Sequence, residues 1–141
     1  MSEQAQDVTP AFEAIVADGV DALPQWVKDK LDNVVFVAEC APSPEIMREE
    51  GLERDDELFG YYHGIPLTER GEFYGVGAVL PDTISIFQKA HEVAAGDDAS
   101  RMAQLVRETV WHEVGHYIGL DEEEVRAREH ERGHLAIDPE K

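Results

Sequence analysis

An α+β fold, a small mixed sheet with one long helix packed across a face, is what the sequence predicts. Three observations carry that expectation. Apolar residues recur at helical intervals over 10–31 and 98–120. Three short runs read as strands: Val34 to Val37, "LFGYYHGIPL" at 58–67, and "DTISIFQKA" from Asp82. The resulting order is helix, helix, strand, helix, strand, strand, long helix, short helix, and a chain of 141 residues suits one domain with one core.

In the first helical segment Phe12, Ile15, Val16 and Val20 share a face, and Leu23, Trp26, Val27 and Leu31 repeat the spacing. Pro24 divides the two, because proline is tolerated in a first turn and disruptive inside a helix. The run Val34 to Val37 is continuous in its apolarity, which predicts a strand covered on both faces. "PSPEIMREEGLERDDE" reads as a short helix or loop with a charged surface. Between the next two strands, "TERGEFYGVGAVLPD" has the glycine content and closing Pro81-Asp82 of a long hairpin connection. Its glycines lack the third position of the dinucleotide fingerprint, so nucleotide binding is discarded. The last long pattern, Asp98 to Leu120, stops at Gly119, and a charged helix from Glu122 to Glu131 follows. A single domain is expected over 10–135, with flexible termini at 1–9 and 136–141.

Charge narrows the function classes. Against 31 acidic residues stand 12 basic ones, a net charge of -19. Such a field repels phosphate backbones and anionic lipid heads, which argues against nucleic-acid and membrane partners. No apolar run approaches the ~20 residues that span a bilayer, and no leader pattern opens the chain, so a cytoplasmic protein is expected. Cys40 is the only cysteine and reads as a small, partly buried thiol.

The chemistry concentrates in "HEVGHYIGLDE", His112 to Glu122. Residues four apart on a helix differ by about 40° of rotation, so His112 and His116 project from one side, one turn apart. Both imidazoles can reach a single ion, and a catalytic zinc keeps three protein ligands and an open position. Glu113 points to the adjacent arc, where its carboxylate can act on water as a general base without being a ligand. Gly119 lets the chain change direction, so a third ligand comes from beyond it. Asp121, Glu122, Glu123 and Glu124 are candidates, as are His130 and His134; spacing does not choose among them. Met102, Leu105, Val106, Val110, Val114 and Tyr117 form a wide apolar arc, with Trp111 and Ile118 near its back. Two histidines and a glutamate on or beside such an arc are costly without partners, and a metal suits all three.

With these residues in view, the sequence resembles the zincin metallopeptidases, and within them the minimal, matrix-metallopeptidase-like mini-zincins of pattern HExxHxxGxxD. "LFGYYHGIPLTERG" at 58–71 and "LPDTISIF" at 80–87 resemble that family's strand segments. The resemblance implies a zincin-like fold and a Zn2+ cofactor held by His112, His116 and the residue at the family's aspartate, here Glu122. Glutamate is one methylene longer, which moves the ion from the backbone unless Asp121 replaces it. The last methionine, Met102, precedes the motif, so no methionine turn underlies the site. The implied activity is hydrolysis of a peptide or protein substrate by a metal-activated water with Glu113 as base; the alternative is a non-catalytic binding or regulatory module with a weak or empty metal site. An extended substrate is expected along an exposed edge at Thr83 to Phe87. The sequence assigns no residue as oxyanion donor; Tyr61, Tyr62, Tyr117 and His134 are available, though a tyrosine is more often a packing residue.

Overall fold

The computed structural model describes residues 8–52, 58–71 and 80–119. Helix α1 (Pro10–Asp21) begins as its sequence demands: the Thr9 side chain accepts from Phe12 N, and proline occupies the first turn. Pro24 then caps the short helix α2 (Gln25–Lys28). Strand β1 (Val34–Glu39), helix α3 (Pro44–Glu49), strand β2 (Gly60–His63) and a 3-10 turn (Leu67–Glu69) follow. Strand β3 (Asp82–Phe87) leads into helices α4 (Gln88–Ala95) and α5 (Ala99–Ile118).

The three strands form one mixed sheet in the order β1-β3-β2. Strand β1 runs parallel to β3, with Val34 opposite Asp82 and Glu39 opposite Phe87. Strand β2 runs antiparallel on the other side, with Gly60 opposite Ile86 and His63 opposite Thr83. The fold is therefore α+β with a small mixed sheet, as the sequence predicts, and α5 lies against it.

Two strand expectations change. The first concerns β1, which among the described residues is an edge strand: Val34, Phe36 and Ala38 lean on the core, while Val35 between them is 43% exposed. A short β-branched run thus reads alike whether one face or both are covered. The second concerns β3, which is central, so Thr83 to Phe87 has neither edge free. Its residues bury on both faces, with Ile84, Ile86 and Phe87 fully enclosed and Ser85 nearly so.

Helix α4 is absent from the sequence-derived order because nothing punctuates its start. The chain passes from Phe87 in β3 into Gln88 without glycine, proline or a side-chain cap. Its His91 is fully buried between two partners: Nδ1 lies 2.7 Å from the Phe87 carbonyl, and Nε2 lies 2.8 Å from Thr109 Oγ1 on α5. A carbonyl only accepts, so the neutral ring carries its proton on Nδ1, and Nε2 shares with the Leu105 carbonyl, 3.0 Å from Thr109 Oγ1, the single proton of that hydroxyl.

Helix α5 is the spine of the core. Asp98 caps it by accepting from Arg101 N, and Gly119 ends it in a left-handed conformation at φ 109°. Val106, Val110, Val114 and Tyr117 are fully enclosed against α1 and the sheet. Each such aliphatic side chain contributes about 1.5–3 kcal/mol relative to exposure. The predicted charged helix from Glu122 and the glycine-rich part of the hairpin connection lie outside the described residues.

A polar network secures the chain that returns toward α5. Arg70 and Asp82 form an ion pair at 2.9 Å, with side chains 7% and 3% exposed. Arg70 also donates to the carbonyls of Ile65 and Asp32, and the Tyr62 hydroxyl donates to Asp82 Oδ2 at 2.6 Å. The Tyr117 hydroxyl accepts from Asp32 N and donates toward the Lys30 and Asp32 carbonyls. Burial is the main cause that raises the pKa of both Tyr62 and Tyr117, which keeps these hydroxyls protonated as donors.

Two outcomes follow from this packing. A Cβ at position 119 would fall on the Thr68 side chain and would have to adopt a left-handed backbone. Gly119→Ala should therefore lower stability by at least about 1–2 kcal/mol in urea titration. Burial holds the His91 pKa below its ordinary value, so the folded state resists a proton that the unfolded chain takes up near pH ~6.5. Stability should fall as pH drops below that value, down to the depressed folded pKa. The wild type should lose more stability between pH 7 and 5 than His91→Gln does, as read by paired denaturant titrations.

Candidate metal centre and active-site cleft

Beside the last turns of α5 lies a cleft of about 560 Å³. From α5 it receives His112, Glu113, His116 and Gly119; from β2 it receives Gly60, Tyr61 and Tyr62. Pro66 and Glu69, flanking and ending the 3-10 turn, form another side, and Leu58 and Glu50 complete the lining. Residues 112, 113 and 116 thus share one cavity, as their helical spacing requires.

The two imidazoles stand edge to face, with centroids 5.0 Å apart and planes at 75°. This separation suits a shared ion. Histidine nitrogen is a zinc donor, and two imidazoles one turn apart that line one cleft would hold the ion from α5. The donor set therefore fits zinc as far as it is described. Among the described residues no group of three histidine, cysteine, aspartate or glutamate side chains is arranged around one point. Asp121, Glu122, Glu123, Glu124, His130 and His134 lie outside the described residues.

Glu113 is 9% exposed and reaches both the main cleft and a smaller adjoining hollow of about 390 Å³. Leu58, Phe59 and Thr109 help to line that hollow. Gly60 belongs to both cavities and is the closest approach of β2 to α5: a Cβ built there meets Thr109 Cγ2 at 2.7 Å and Glu113 Cγ at 3.0 Å. Sequence reasoning passed over this residue, although a glycine inside a strand is a sign of close backbone approach.

The tyrosines divide by task. Tyr62 and Tyr117 spend their hydroxyls on Asp82 and on the 30–32 backbone. Tyr61 lines the cleft, stacks on His63 and donates to Glu49 Oε1 at 2.8 Å, and this bond pushes its pKa up to about 12. Its phenol therefore stays protonated through the neutral range. Of the other cleft residues, Glu50, Pro66 and Glu69 carry no signal in the sequence; only the return of the chain between β2 and β3 brings the last two opposite α5.

No helix among the described residues is long and apolar enough to cross a membrane. No curated protein matches the chain. A family profile described as zincin-like metallopeptidase matches residues 31–132, which spans β1 through the histidine-bearing helix and the acidic stretch after it. With most of the chain matched, and two histidines and a glutamate of α5 opening on one cleft, the chain belongs to the zincin-like metallopeptidases, a family of zinc-binding hydrolases.

Proposed function

We propose that the protein hydrolyses peptide bonds at this cleft, with His112, His116 and Glu122 as zinc ligands and Glu113 as the general base. The observation that supports this most is the shared lining of one cavity by His112, Glu113 and His116 alongside strand β2. Zinc, when bound, supplies Lewis-acid activation of a water and of the scissile carbonyl. The protein's own residues supply the rest. Glu113, next to His112 but outside the ligand set, accepts the proton of the attacking water on its carboxylate and delivers it to the departing amine. Its near-complete burial strengthens electrostatic interactions there by excluding bulk water.

The substrate-binding edge in this reading is β2, in place of Thr83 to Phe87. Phe87 N donates to the Phe59 carbonyl at 2.9 Å, which makes Phe59 and Phe87 a hydrogen-bonded pair. Alternation along an antiparallel ladder then turns the backbone N–H and C=O of Gly60 and Tyr62 away from β3. Among the described residues no strand pairs with that outer edge. An extended peptide can add to it as a further strand, with its backbone beside the two histidines.

A library of unstructured peptides incubated with the zinc-loaded protein tests the reading. The wild type should cleave a subset of them. Glu113→Gln should reduce kcat by about 10²–10⁴-fold with zinc content kept. Equal turnover by Glu113→Gln removes the proposed mechanism. No cleavage by either protein favours a non-catalytic binding module on the same fold.

A further inference from the structure

We propose that the cleft selects peptides carrying a lysine or arginine close to the scissile bond, with Glu50 and Glu69 as the carboxylates that receive the cationic side chain. The inference rests on the peptidase reading of this cleft and names its substrate class. Apart from the two histidines, the ionisable carboxyl and amine groups that the described residues bring to the cleft are all acidic: Glu50, Glu69 and Glu113. Among the described residues no lysine or arginine lines it. Arg70 directly follows Glu69, but its guanidinium is turned to Asp82 and to the Ile65 and Asp32 carbonyls, and its side chain is 7% exposed.

The sheet edge decides where those carboxylates meet a substrate. A Cβ at Gly60 would run into Thr109 and Glu113, and the Tyr62 ring meets Tyr117 edge on, so both positions face α5. Tyr61 between them faces the other side of the sheet. There its hydroxyl donates to Glu49 Oε1 at 2.8 Å, and Glu49 and Glu50 both act on the phenol to raise its pKa, which sets the end of α3 beside it. Glu69 stands on the α5 side, in the 3-10 turn whose Thr68 lies against Gly119. An extended peptide on the β2 edge sends successive side chains to alternate sides, one set toward the histidines and the next toward Glu50. A carboxylate is available on each side, so a cationic residue in either set finds one. A single exposed ion pair changes an equilibrium by up to about fivefold. A glutamate in the same place is repelled by the same groups, which widens the contrast between the two charges.

Matched substrates read this preference. In the best library peptide each residue near the scissile bond would be replaced in turn by lysine, norleucine or glutamate, and kcat/KM measured on the zinc-loaded full chain. Lysine should exceed its uncharged analogue norleucine by about fivefold at one position or more, and glutamate should fall below norleucine there. In the double variant Glu50→Gln with Glu69→Gln, compared at equal zinc content, lysine and norleucine should come within about twofold of each other. The net charge of -19 attracts cationic peptides to the whole surface. A control double variant therefore carries Glu13→Gln and Asp18→Asn, exposed positions of α1 that line neither cavity, and should keep the preference. A ratio near one at every position in the wild type, or a preference that the Glu50 and Glu69 variant keeps or the control loses equally, would overturn the proposal. If the wild type cleaves no peptide, the peptidase reading fails by itself. Binding of fluorescein-labelled alanine-serine peptides with lysine, norleucine or glutamate at the centre then decides. Tighter lysine binding that only the Glu50 and Glu69 variant loses supports a cation-selecting cleft; a preference which that variant keeps, or none at all, contradicts it.

Discussion

A helix enclosed over most of its circumference can carry ionisable groups only where something meets them, and α5 is such a helix. Trp111, Val114 and Tyr117 are enclosed in the same two turns that carry His112, Glu113 and His116. The cost of withdrawing polar groups from water forces those three toward the cleft beside β2. The rest of the architecture maintains that opening. Strand β3 supplies a central rail, β2 stands at the edge facing α5, and the 3-10 turn forms another side.

The buried Arg70–Asp82 pair has its meaning in this setting. One ion pair joins the start of β3 to the chain that returns after the 3-10 turn, and Tyr62 and Ile65 N add bonds to the same aspartate. Breaking such a pair strands a charge, so it ties its segments together more firmly than exposed pairs do. Tyr117 extends the network from α5 to residues 30–32, one residue beyond His116. The cleft is thus bounded by groups whose hydrogen bonds are spent on structure, while the histidines and Glu113 open on it.

Much of this was legible in the sequence because it depends on short-range rules. The four-residue spacing put both histidines on one side of a helix, Asp98 and Gly119 gave that helix its ends, and Pro24 marked the start of the second helix, whereas the cap at Thr9 fell in a stretch read as a flexible terminus. What escaped depends on long-range arrangement. The central place of β3 follows from which strands pair, and "DTISIF" says nothing of its neighbours. The edge position of β1 is hidden because its exposed Val35 is as apolar as its buried neighbours. Helix α4 starts without any breaker, so its first three residues, Gln88 to Ala90, read as a continuation of the strand. Gly60 carried a usable sign, a glycine interrupting an aromatic strand, but only the approach of α5 gives that sign its meaning.

The central claim is that His112 and His116 hold a metal, and its most direct test is metal content measured by elemental mass spectrometry. The wild type, purified without chelator, would be set beside His116→Ala, with both folded as judged by circular dichroism. The account predicts about one zinc per wild-type chain and loss of that zinc in the variant. Absence of metal from the wild type even after zinc is added back, or equal zinc in His116→Ala, would contradict it.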